Sequence, residues 1–408
     1  MKACLRCRQQ RVRCETDPED PGGQCLTCRN VSNNSKQTIH HIPCLRYKVT
    51  ECILYRAGKL GYTSRWQDMK VREITDWESA DTQTLVLRNT QELVKDGFQV
   101  VLRPFRAQAG DKLFRSWFDQ ERGVVKSYSL PAWAVENMHV VKEDFKIYTD
   151  KHAFDCITHR LQHSDNLIVR TYNRAKIHLR NAPKTEKERV LMTNLLRLWF
   201  VSQHTLGSDY FENPQALGLE PHQDPSYPHP GKVPTPPVVN AQFDVIFTEA
   251  LLKPYKKKVL EELQNIIKDN RPETFITFYL CTFILLHNFS LLIADRYRHA
   301  RKHGVQSRYT LPDLVSSWHH SAMVILAHYH YCNGSMDPLA LDLKNRHRTR
   351  LATLNAEEAE FLLQTRDLVK AREDDFAYIR DNDLADHEFY YVSQMFEKDW
   401  KPRDTVID

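Results

Sequence analysis

Six of the chain's ten cysteines fall within the first 44 of 408 residues, spaced Cys4-x2-Cys7-x6-Cys14-x10-Cys25-x2-Cys28-x15-Cys44. A Cys-x-x-Cys pair followed by a lone third cysteine therefore occurs twice. So few apolar residues separate these cysteines that the segment has to be cross-linked from within to fold. Disulfides would serve a secreted chain, but no apolar run precedes Cys4, so the thiols are expected reduced and metal-binding. Zinc suits such donors, taking four thiolates tetrahedrally and coupling metal uptake to folding.

Ligand counting separates one ion from two. Cys4, Cys7, Cys25 and Cys28 alone make a generic one-zinc set, which leaves Cys14 and Cys44 unexplained. Two tetrahedral ions need eight positions, and six thiolates fill them only if two sulfurs bridge. Cys4 and Cys25, the first members of the two half-sites, are the symmetric choice, so the expectation is two Zn2+ ions. His40, His41 and Cys52 compete with Cys44 for the last position. Cys44 is preferred, because Cys52 sits in the apolar stretch Val49-Thr-Glu-Cys-Ile-Leu-Tyr55. Cys156, Cys281 and Cys332 are expected as small core residues.

Charge follows the same segment. Residues 1–56 hold ten Lys/Arg against five Asp/Glu, which is the chain's entire net excess of +5. Six thiolates and two zincs would bring the loaded module to about +3 by formal counting. Arg6, Arg8, Arg11 and Arg13 lie among the first three cysteines without an acid, while Glu15, Asp17, Glu19 and Asp20 gather in the connecting loop. Localised positive charge is the footprint of a phosphate-backbone partner, here double-stranded DNA. The stretch from Cys4 to Cys14 has the length of a knuckle and about two helical turns, with Arg8 and Arg11 on one face. Arginine can fork onto guanine, and glutamine can pair with adenine. The remaining arginines would hold phosphates.

With these residues in view, the array resembles the fungal-type Zn2Cys6 binuclear cluster of transcription factors. The resemblance lies in Ala3-Cys4-x2-Cys7-Arg8-x2-Arg11-x-Arg13-Cys14, Cys25-x2-Cys28 and Pro43-Cys44, and covers residues 3–56. It implies two zincs bridged by the first and fourth cysteines, and a short helix whose end enters the major groove over a CGG-like triplet. It also implies base contacts from Gln10 and Arg11, phosphate contacts from Arg8 and Arg13, and a nuclear location. The chain departs from the family at Gln10, where a basic residue is usual, and in the long Cys28–Cys44 gap, whose excess is a polar loop insertion.

The rest of the chain is expected to be mainly α with a minor β element. Residues 57–81 look like a linker, and 82–206 an α-rich region with a strand pair near Thr84–Arg88 and Phe98–Arg103. Helical periodicity marks Ala134–Leu161, Asn166–Leu179 and Thr185–Gln203. Eight of the 19 prolines fall between Pro214 and Pro237, making 207–238 a loop or hinge. Residues 239–400 are expected as a helical regulatory region, with helices near 240–269, 273–303, 311–331 and 354–380. Phe275–Ala294 carries no charge over 20 residues; its central His287, Asn288 and Ser290 favour a buried core helix over a membrane span.

Only 12 glycines are present, and no phosphate-binding loop, His-Glu-x-x-His or Gly-x-Ser-x-Gly motif occurs, so no catalytic residue is named and no enzyme is expected. Of His319, His320, His328, His330 and Cys332, His328 and His330 point about 200° apart on a helix and cannot clasp one ion from one face. The acidic and aromatic C-terminus suits either an activation segment that meets a coactivator or an amphipathic helix docked on the body. No heptad run is long enough for a coiled coil, and oligomeric state is left open. The expected function is a sequence-specific DNA-binding transcription regulator; the alternative is a zinc-stabilised protein-interaction module on a helical scaffold.

Overall fold

The computed structural model describes residues 2–21, 23–35, 44–56, 58–181, 185–333 and 353–403. About half of the chain is helical, arranged around one long central helix and a curled five-stranded sheet.

The N-terminal module consists of two short helices, α1 (Leu5–Gln10) and α2 (Leu26–Asn34). The expected strand pair forms as β1 (Gln83–Asn89) and β2 (Phe98–Pro104), antiparallel with Leu85 opposite Val100. Leu85, Leu87, Val100 and Leu102 alternate inward, as a half-buried sheet requires. The β content is larger than expected. A hairpin of β3 (Phe114–Asp119) and β4 (Val124–Ser129) stands apart. Three short strands, β5 (Trp133–Val135), β6 (Asp209–Phe211) and β7 (Val233–Pro234), complete the order β5-β2-β1-β6-β7. Their brevity hides any two-residue period. In the expected helix beginning at Ala134, β5 comes first and α3 (Met138–His152) and α4 (Cys156–Arg160) follow.

Helices α5 (Asn166–Arg180) and α6 (Glu186–His204) start on sequence signals. Asp165 accepts from the Leu167 N–H, and Thr185 and Glu188 form a capping box. Next come α7 (Pro237–Val245), a π-helical turn at Ile246–Leu252, and α8 (Lys253–Asp269). The central α9 (Phe275–Lys302) packs against α5, α6, α8 and α10 (Pro312–Asn333). Several of its polar residues are bonded within the core. Tyr172 pairs with His287 (2.8 Å), Gln203 donates to Asn288 (2.9 Å), and Thr277 donates to Glu188 (2.9 Å). An apolar helix is compatible with a protein interior when its polar groups find such partners. By length and composition α9 could cross a membrane, but its most apolar window is 94% buried inside the protein.

The stretch 57–81, expected as a linker, buries Trp66 and Ile74 against the core, and Trp77 bridges to Phe105. The proline-bearing stretch 207–238 contributes β6 and β7 and buries Phe211, Tyr227 and Val233. There, Pro237 takes the first position of α7, where its missing N–H costs nothing. The acidic and aromatic C-terminus is docked. Helices α11 (Ala356–Lys370), α12 (Glu373–Asp381) and α13 (Tyr390–Ser393) bury Phe361, Phe376, Tyr390 and Tyr391, and Trp400 stacks on His330 at 4.9 Å.

Candidate metal centre and nucleic-acid interface

The two half-sites repeat in space as they do in sequence. Cys4 and Cys25 are the N-caps of α1 and α2, with φ −67° in both cases. Cys7 and Cys28 follow in the first turns. The third cysteine of each half-site accepts the backbone N–H of the first: Cys4 N–H to Cys14 Sγ and Cys25 N–H to Cys44 Sγ, both 3.4 Å. The halves then cross over. Leu5 N–H bonds the Leu45 carbonyl (2.7 Å), and Leu26 N–H bonds the Glu15 carbonyl (2.8 Å), so each helix is held by the residue after the other half's third cysteine. This is a pseudo-twofold arrangement, with Cys4 and Cys25 as equivalent partners 4.0 Å apart at its centre.

The sulfurs converge. Cys4, Cys7, Cys25 and Cys28 are buried, with ligand atoms all within 4.8 Å of one another, a group that could hold a metal ion. Cys14 and Cys44 are half-buried and pack against this group, Cys44 Sγ lying 3.7 Å from Cys25 Sγ. Burial pushes the Cys7 thiol up, whereas donation from Cys4 and Cys44 pulls Cys28 down to about 3. Thiolates so crowded repel one another unless a cation lies among them, and soft, buried sulfur donors suit zinc.

Arginines complete the module. Arg6 reaches Cys28 Sγ at 3.7 Å, and Arg46 reaches Cys14 Sγ at 3.6 Å while also bonding the carbonyls of Lys2 and Gly23. Sequence reasoning missed Arg46; its only signal was a cation two residues after the last cysteine. Asp17, in the acidic loop, is buried and paired with Arg29.

The residues expected to meet DNA divide into three kinds. Arg8 is already bonded to the carbonyls of Arg46 (3.3 Å) and Tyr47 (3.0 Å), so it ties the module together. Helix α1 is shorter than expected and stops at Gln10, which places Arg11 and Arg13 beyond it, not on its faces. The cause is local. Arg11 adopts the left-handed conformation (φ 53°), its N–H bonds the Arg8 carbonyl, and the Val12 N–H bonds the Cys7 carbonyl, a Schellman closure. Arg11 and Arg13 are exposed. Gln9 and Gln10 meet the helical body: Gln9 donates to the Ile267 carbonyl (3.2 Å) and Gln10 to the Tyr331 hydroxyl (3.3 Å).

A strap fixes the module to that body. After Cys44, Tyr47 packs edge-on against His320, Cys52 and Ile53 bond Ser321, and Leu54 accepts from Asn288 (3.4 Å). Val49 and Leu54 are 0% and 1% exposed. Cys52 thus belongs to the core and not to the cluster. His40 and His41 lie outside the described residues. His319, His328 and His330 bond the carbonyls of Arg403, Val324 and Gln394, each at 2.8 Å.

No curated protein and no solved structure matches the chain. One family does, over residues 57–395, which takes in nearly all of the body and starts after the cysteine module. On that match the chain belongs to the KpeA transcription factor family and is a transcription regulator.

Proposed function

We propose that the chain is a nuclear, sequence-specific DNA-binding regulator whose residues 4–44 hold two zinc ions and read a CGG-like triplet. The observation that carries this is the pseudo-twofold pairing of the two half-sites. It makes Cys4 and Cys25 equivalent, as two bridging sulfurs must be. One ion would take Cys4, Cys7, Cys14 and Cys25, and the other Cys4, Cys25, Cys28 and Cys44. Each would screen the thiolates and hold the half-sites together; the chain's own residues would do the reading. Arg11 and Arg13, exposed past the end of α1, would meet base edge and phosphate, with Gln10 beside them.

In the arrangement described, Gln10 is half-buried and its amide nitrogen donates to the Tyr331 hydroxyl, so that donor is engaged by the body. DNA engagement by the Gln10 amide nitrogen therefore requires it to leave the Tyr331 hydroxyl. The same contact is the observation that favours the alternative, a zinc-stabilised module whose task is to dock on protein. Selection of binding sites from random duplexes with the full chain, repeated with Arg11→Ala/Arg13→Ala, separates the two. An enriched triplet that the double variant loses supports the DNA reader. No enrichment, or enrichment indifferent to those arginines, refutes it. Arg8 is unsuitable for this test because its loss would disturb the module itself.

A further inference from the structure

A cavity of about 160 Å³ lies where the end of the strap, the start of β3, the turn after α6, helix α7 and the C-terminal half of α9 meet. Its lining is mixed in chemistry. Leu60, Leu206, Phe243 and Phe247 give it apolar surface, and Arg56, Arg115 and Arg296 are also among its lining residues. Asp209 and Asp244 also line it, but both have partners. Asp244 holds Arg56 at 3.0 Å, and Asp209 accepts from Asn89 (2.8 Å) and faces His204 (3.2 Å).

Two cations are left incompletely matched. Arg115 is anchored on the Thr235 carbonyl at 3.0–3.1 Å and on the Thr235 hydroxyl at 3.2 Å, and no ion pair to a carboxylate is found for it among the described residues. Arg296 is 92% buried and paired through one nitrogen with Asp295, which Arg298 shares at 3.3 Å. Its Nε is buried without a hydrogen-bond partner. A buried donor in that state costs about 1–3 kcal/mol unless something accepts from it. An apolar cavity of about 150 Å³ accommodates a benzene-sized molecule. A lining that combines apolar side chains with guanidinium groups matches a compact organic acid, since arginine pairs with carboxylates.

We propose that this cavity is an effector site for a small organic carboxylate of about the size of one ring, held by Arg115 and Arg296 with its apolar part against Phe243 and Phe247. His299 on the rim supplies an independent reporter. Burial, opposed by Asp295 at 3.9 Å and reinforced by Arg296, Lys302 and His303, holds its imidazole down at about 4, and a bound anion would raise it. The site also borders the strap, because Arg56 ends the segment that leads back to the cysteines. A bound acid would thus be felt where the module is anchored.

Calorimetry on the full chain, without DNA, tests this with benzoate as probe and benzyl alcohol and inorganic phosphate as controls. Saturable benzoate binding is expected, at least ten-fold weaker for benzyl alcohol and at least ten-fold weaker in Arg115→Gln and Arg296→Gln. NMR titration should show the His299 imidazole rising when benzoate is present. If Arg296→Gln does not fold, the partly exposed Arg115→Gln decides. Absence of benzoate binding, equal binding of benzyl alcohol, indifference to Arg115→Gln, or binding of phosphate alone would each overturn the proposal. The readout contains no DNA, so its failure is distinct from failure of the DNA-reading proposal.

Discussion

Gln10, the last residue of α1, donates its side-chain amide to the Tyr331 hydroxyl near the end of α10, a contact of 3.3 Å between residues 321 positions apart. With the neighbouring bond from Gln9 to Ile267, it ties the tip of the cysteine module to the helical body. Such a contact competes with any other partner of Gln10. A single neutral hydrogen bond contributes about 1 kcal/mol net, enough to shift a two-state balance about five-fold.

Tyr331→Phe keeps the ring and removes the hydroxyl. It should tighten binding of the selected duplex up to about five-fold in fluorescence anisotropy, with the fold unchanged by circular dichroism. Unchanged or weakened binding would mean that the contact does not compete with DNA.

Arg11 separates structure from recognition. Its left-handed backbone is one that glycine adopts without strain, so Arg11→Gly should leave thermal stability within about 1 kcal/mol. DNA affinity should still fall ten-fold or more, in line with about 1–3 kcal/mol for a base contact. Retained affinity would remove Arg11 from the reading set.

Leu54 tests the strap. It is 1% exposed in the core, beside the carbonyl that Asn288 bonds. Leu54→Ala should cost about 2–5 kcal/mol and lower the melting temperature of the whole body, because a truncated core leucine leaves a cavity. A loss confined to the N-terminal module would show that the strap is peripheral.

Acid should weaken the helical body before it titrates carboxylates. Burial holds His287 down at about 3 and His328 and His330 at about 4, against an ordinary 6.5. Below pH 6.5 the unfolded chain takes up protons that the folded chain refuses. Stability is therefore complete above that pH and lost as pH falls toward 4, by several kcal/mol for the three together. Urea midpoints measured from pH 7 to 4.5 should fall steadily, and a flat profile would contradict the buried neutral state.

Periodicity made the long elements legible. Apolar residues three and four apart marked α5 and α6, and the uncharged run from Phe275 to Ala294 marked the buried α9. Strands of two or three residues, such as β6 and β7, carry too few positions to show a period, and the π-helical turn at Ile246–Leu252 has no sequence signature. At the site, cysteine spacing foretold the repeated half-sites. It could not foretell that Arg8 bonds the carbonyls of Arg46 and Tyr47, or that Gln10 meets Tyr331, because those partners are set by the docking of the strap. The cavity beneath Arg56, Arg115 and Arg296 was equally invisible, being assembled from five separated segments.

All six cysteines together are proposed to hold two zinc ions. Four of them, Cys4, Cys7, Cys25 and Cys28, already form a compact set, so a one-ion site is the competing account. Native mass spectrometry of the zinc-loaded full chain decides between them. The expected result is two ions per chain, with Cys14→Ser and Cys44→Ser each reducing the count or releasing zinc at markedly lower chelator concentration. A single ion per chain, held equally well by both variants, would refute the two-zinc cluster.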